Sequence, residues 1–81
     1  MLGNNHFSTA NTYNNIGNVY SNQGNYDDAI SMHKKSLKIQ SSLLGDYHRS
    51  VANAYSNIGN IYNNQGKYDD AVSMYEKSLE I

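Results

Sequence analysis

The chain has 81 residues, 38% of them hydrophobic, and a formal net charge of −1, which allows one small domain with a modest core. Acidic and basic residues are interspersed, so the basic face that nucleic acid or an anionic membrane surface would require is missing. The lack of cysteine removes disulfides and thiolate metal sites. No apolar run is long enough to span a membrane. Met1 to His6 lacks the charged and apolar regions of a secretory signal, which leaves a cytoplasmic location as the default expectation.

The dominant feature is internal repetition. Residues 2–39 laid over residues 44–81 agree at 25 of 38 positions, an offset of 42. A fixed period of roughly 20–50 residues marks stacked supersecondary units. Repeat one is therefore expected over about residues 2–43 and repeat two over about 44–81, in a single domain covering 1–81.

In chain order, Leu2-Gly3-Asn4-Asn5-His6 corresponds to Leu44-Gly45-Asp46-Tyr47-His48, a linker between helices. A first helix is predicted from about Ser8, its candidate N-cap, to Gln23. Tyr13, Ile16, Gly17 and Tyr20 share one helical face. Gly17 costs about 1 kcal/mol in helix propensity relative to Ala, and its return as Gly59 points to close helix–helix approach. Gly24 suits a left-handed C-terminal cap. The second helix is predicted from Tyr26 to about Leu43, with Asn25 as N-cap and Asp27 and Asp28 in its first turn, where the helix dipole favours negative charge. Its core-facing stripe is Ala29, Ile30, His33, Leu37 and Leu44. Lys34, Lys35 and Lys38 lie toward solvent.

The third helix starts between Asp46 and Ser50, both possible caps, and ends before Gly66, with Tyr55, Ile58, Gly59 and Tyr62 repeating the face of the first. The fourth runs from Tyr68 to the end, behind a poor N-cap in Lys67. It stops at Ile81, the counterpart of Ile39, whereas the second helix continues about another turn.

The residues Tyr13, Ile16-Gly17, Tyr20, Gly24, Tyr26, Asp27 and Ala29, with Tyr55, Ile58-Gly59, Tyr62, Gly66, Tyr68, Asp69 and Ala71, resemble the tetratricopeptide repeat. That resemblance implies two antiparallel helix pairs stacked with a right-handed turn, and a non-enzymatic protein-interaction function. The familiar form has 34 residues and a closing proline. This 42-residue form without proline is similar to the repeats of kinesin light chain, and shares its Ser-Asn-Ile-Gly-Asn phrase with a spindle-orientation scaffold family. The small residue late in each second helix is Ser36 or Ser78, whose hydroxyl can bond back to its own helix.

In the family one face of each first helix lines a concave groove. Here that face carries Asn11, Asn14, Asn15, Asn18 and Asn22, and in the second copy Asn53, Asn57, Asn60 and Asn64. The resemblance places Asn18 and Asn57 where the family's peptide-gripping asparagines lie. An amide both donates and accepts, which suits the backbone of an extended peptide. The plainer alternative is an Asn-rich composition, yet Asn is nearly absent from the second helices and is a poor helix former. No basic residue accompanies the asparagines, so capture of a peptide's C-terminal carboxylate, which needs a charge-assisted donor, is not expected.

His6 and His48 fall in linkers and His33 stands in for Tyr75, so the three to four close ligands of a zinc site are not assembled. Ser, His and Asp recur with the scaffold and form no nucleophile–base arrangement. The recurring tyrosines Tyr13, Tyr20, Tyr26, Tyr55, Tyr62 and Tyr68 are expected to pack between helices. No cofactor, nucleic acid or membrane partner is expected. A homo-oligomer formed through the terminal helices is the second functional expectation, as a closed dimer by helix-pair exchange in solution and as continuous stacking in a crystal.

Overall fold

The computed structural model describes residues 6–81. The expected start of repeat one at residue 2, and the Leu2–Asn5 part of its linker, lie outside the described residues. Four helices follow one another, α1 Phe7–Asn22, α2 Tyr26–Leu44, α3 Arg49–Asn64 and α4 Tyr68–Leu79, and no strand occurs among the described residues. The fold is all-α: two helix–turn–helix units.

Each unit is closed by a glycine turn. Gly24 and Gly66 have φ of 82° and 81°, the left-handed conformation that only glycine adopts without cost. Behind each turn an N–H reaches back to a tyrosine carbonyl: Asn25 to Tyr20 at 2.8 Å and Lys67 to Tyr62 at 2.9 Å. The two short connections thus satisfy the last carbonyls of α1 and α3 in the same way.

The N-terminal caps differ from expectation. His6, not Ser8, caps α1, and His48, not Asp46 or Ser50, caps α3. Each imidazole Nδ1 accepts the N–H two residues on, from Ser8 and from Ser50, at 3.0 Å. An unprotonated imidazole nitrogen can take the part that an Asp or Asn oxygen usually plays at this position. Asn25 makes no side-chain cap to α2; its amide instead donates to Gln23 Oε1 at 3.3 Å. The α2 N-terminus has Asp27 and Asp28 in its first turn.

Packing is strongest between chain neighbours, α1 with α2, α2 with α3 and α3 with α4. Ala29 and Ile30 of α2 meet Ile58 and Ile61 of α3 in the junction between repeats, with Tyr20, Tyr26, Leu37, Tyr62 and Met74 around them. Gln65 Nε2 donates to Asp27 Oδ1 across the same junction at 2.9 Å. The small-residue expectation for Ser78 is corrected: its hydroxyl donates to the Ala52 carbonyl of α3 at 3.0 Å and pairs with Ser56 Oγ at 2.9 Å. It ties the two helices together rather than bonding back into α4.

Extents of 39 × 30 × 12 Å describe a slab. Its thin dimension barely exceeds the roughly 8–10 Å between packed helix axes, so every helix has a face in solvent. Among the described residues, no helix is long and apolar enough to cross a membrane.

Candidate functional site

Asn11, Asn15, Asn18 and Asn22 fall at i, i+4, i+7 and i+11 on α1, a single stripe along the helix. Shifted by 42 they become Asn53, Asn57, Asn60 and Asn64, the corresponding stripe on α3. The buried positions of these helices are Ala10 and Gly17 on α1, and Val51, Ala54, Ile58, Gly59 and Ile61 on α3. The stripes lie off those positions, and all eight asparagines are exposed. In this register Asn18 pairs with Asn60, and Asn57 pairs with Asn15.

Asn14 is half-buried and off the stripe. Its Oδ1 lies 3.1 Å from His33 Nδ1. An amide oxygen only accepts, so this contact puts the imidazole proton on Nδ1. His33 is itself buried and its pKa is lowered by desolvation, which keeps the ring neutral. In repeat two the longer Tyr75 occupies the same position, and its hydroxyl donates to Asn60 Oδ1. The ring from each second helix therefore holds one asparagine of the first helix. Asn14 belongs to the helix packing, and Asn60 is partly committed to it.

The seven others, Asn11, Asn15, Asn18, Asn22, Asn53, Asn57 and Asn64, are exposed and make no side-chain hydrogen bond to described residues. Charge is sparse beside them: α1 carries none and α3 only Arg49 at its first position. Lys34, Lys35, Lys38 and Lys77 sit on the second helices, and Lys67 lies in the turn before α4. Lys35 Nζ lies 5.5 Å from the Tyr13 ring centre and Lys77 Nζ 5.7 Å from that of Tyr55, cation–π contacts at equivalent positions.

The principal clefts lie elsewhere. The cleft between the repeats is floored by Leu37, Ile58 and Met74 and rimmed by Lys34, Lys38 and Lys77. Another gathers Asp46, Tyr47, Tyr55 and Lys77 near the C-terminus. None of these residues is a stripe asparagine, so two repeats present the stripes as open surface. The three histidines have structural work: His6 and His48 cap helices, and His33 holds Asn14. None of these imidazole contacts is with a serine hydroxyl. The capping role was missed in the sequence, although its signal, a histidine in the same register of both copies just ahead of a helix, is visible there.

Paired antiparallel helices joined by glycine turns, with the pairs stacked and their polar stripes in register, define an α-helical repeat module with exposed polar surfaces. The tetratricopeptide-repeat family model matches residues 8–81, and the chain belongs to that family. Its repeats are typically non-enzymatic modules of protein–protein interaction. The match is compatible with the longer, kinesin-light-chain-like form of the repeat. Comparison with curated proteins returns no match.

Proposed function

We propose that this module holds an extended, uncharged polypeptide segment along its asparagine stripes, through hydrogen bonds to the segment's backbone. The observation that carries this reading is the pair of equivalent stripes, seven of whose eight asparagines have no side-chain hydrogen-bond partner among the described residues. Relative to Ala, an Asn in a helix costs roughly half a kcal/mol, so eight of them cost roughly 4 kcal/mol. That approaches the lower end of a domain's whole stability, and of the eight only Asn60 makes a side-chain hydrogen bond among the described residues.

The geometry suits a strand. A stripe from i to i+11 spans about 16 Å at 1.5 Å per residue. That length matches about five residues of extended chain at roughly 3.3 Å each. Each amide offers an N–H donor and an oxygen acceptor, the complement of one peptide unit. The open surface admits a chain from the side, and the near absence of charge beside the stripes selects against acidic or basic segments at the contact.

The test is selection of binders from a random, uncharged peptide library displayed on phage, followed by amide chemical-shift mapping of the best peptide on the isotope-labelled chain. Shifts confined to the stripe positions are expected. Combined replacement of Asn15, Asn18, Asn57 and Asn64 by Ala should abolish binding while leaving helicity equal or higher. Peptides that map to α2 and α4, or that bind the replaced chain equally well, would overturn the reading. So would a selection that yields no stripe-dependent binder.

A further inference from the structure

We propose that the outer face of α4 docks onto the outer face of α1 of a second copy of this chain, reproducing between molecules the junction that repeat one makes with repeat two. The junction inside the chain is the template. There Ile30 is 6% exposed, and Ile58 and Ile61 are 0% and 4% exposed. A shift of 42 residues carries Ile30 to Val72 on α4, which is 53% exposed, and carries Ile58 and Ile61 back to Ile16 and Val19 on α1, which are 37% and 54% exposed. The chain thus displays both halves of its own internal interface, one on each side. Tyr68 and Leu79, counterparts of the packed Tyr26 and Leu37, widen the α4 half at 65% and 84% exposure.

Polar groups set the same register. Gln65 donates to Asp27 inside the chain, and its counterpart Gln23 would meet Asp69 of the neighbouring copy, both being exposed. Charge then favours the contact between molecules over the internal one. Inside, Lys34, Lys38 and Lys77 share the cleft over the junction, three like charges. Shifted by 42, the first two become Glu76 and Glu80 of one copy, and the third becomes Lys35 of the next. A cluster of one sign is replaced by opposed signs. The apolar faces drive the contact, and the charges fix which faces meet. Because the two surfaces differ, the contact is heterologous and continues from copy to copy. The asparagine stripes lie on other positions and take no part, so this inference stands apart from peptide binding.

Two substitutions at exposed positions separate the halves. Val19→Lys spoils the α1 face and leaves α4 intact; Val72→Lys does the reverse. Sedimentation velocity is followed from micromolar to millimolar chain, with circular dichroism as a check on folding. The unaltered chain is expected to form a concentration-dependent series beyond the dimer. Each variant alone is expected to stay monomeric, and an equimolar mixture to form a 1:1 dimer that grows no further. An unaltered chain that remains monomeric throughout would overturn the proposal. A variant that still associates alone would do so too, since it would reveal a twofold or helix-exchanged dimer. A mixture that fails to pair would count equally against it.

Discussion

Gly59 lies beneath the ring of Tyr75, so close that a Cβ added to the glycine would stand 2.8 Å from Tyr75 Cε1. The first copy has the same arrangement with a different ring: a Cβ on Gly17 would stand 2.7 Å from His33 Cδ2 and 3.2 Å from the Ala29 carbonyl oxygen. The recurrence of glycine in the sequence points to a close helix–helix approach at both sites. The structure fills that space with a ring. Gly17→Ala is therefore expected to destabilise, because His33 is buried, is held by Asn14, and has backbone behind the glycine. Overpacking of about 1–3 kcal/mol exceeds the helix-propensity gain of about 1 kcal/mol. Gly59→Ala should lose less, since only the ring of the half-buried Tyr75 must move. Leucine should be worse at both. Urea midpoints for the four variants check the order, and a stabilised Gly17→Ala would show that His33 can leave its place.

Ile16 and Ile58 are the same residue in the same register, one partly exposed and one fully buried. Ile58→Ala is expected to cost roughly 2–5 kcal/mol, the range for emptying a core site. Ile16→Ala, measured at micromolar concentration, should cost well under half as much. Equal losses would mean that the junction between repeats contributes no more than an open helix face.

Acid should weaken the fold through His33. Burial holds its pKa below the ordinary 6.5. As pH falls through 6.5 the unfolded chain takes up the proton first. The unfolded state then binds more protons than the native one, so stability declines toward the lowered native value and is fully present above the ordinary one. His33→Tyr removes this group and installs the residue found at position 75, with Asn18 in place to receive its hydroxyl as Asn60 receives that of Tyr75. Denaturation midpoints compared between about pH 5 and pH 8, the window over which imidazole changes charge, should slope less in the variant. Parallel slopes would show that the buried imidazole carries no pH dependence.

His48→Ala should lose about 0.5–2 kcal/mol, as other caps do, and His48→Asn should restore it. Amide exchange at Ser50, whose N–H the imidazole holds at 3.0 Å, is the local readout. It should quicken in the alanine variant and recover in the asparagine variant. Unchanged exchange at Ser50 would remove His48 as the cap.

The repeat period, the four helices and the glycine turns were legible because they depend on local spacing and backbone conformation. The caps were less so. Imidazole is a rarer cap than a hydroxyl, carboxylate or amide, so residue type alone favours Ser8 and Asn25 over the histidines. Side-chain pairing was beyond reach, since it depends on how far a ring extends across the helix pair: His33 stops at Asn14, whereas Tyr75 reaches Asn60. Tyr68 is the plainest divergence. It was expected to pack like Tyr26, yet it is largely exposed, because the packing of that residue comes from the next repeat and not from its own. The asparagine stripes could be placed on a face from spacing alone; that Asn14 is withdrawn from that face could not.

Helix contacts that run mainly between chain neighbours also set how this molecule is expected to come apart and reform. Little chain must be looped before a contact forms, so barriers from loop closure are low and folding belongs with the microsecond-to-millisecond helical proteins. Protection cannot be uniform either. α2 and α3 are flanked on both sides in the chain, while α1 and α4 are held chiefly by one neighbour each. Native-state hydrogen exchange should grade outward from the Ile30–Ile58 junction, and either outer helix can open while the centre stays closed.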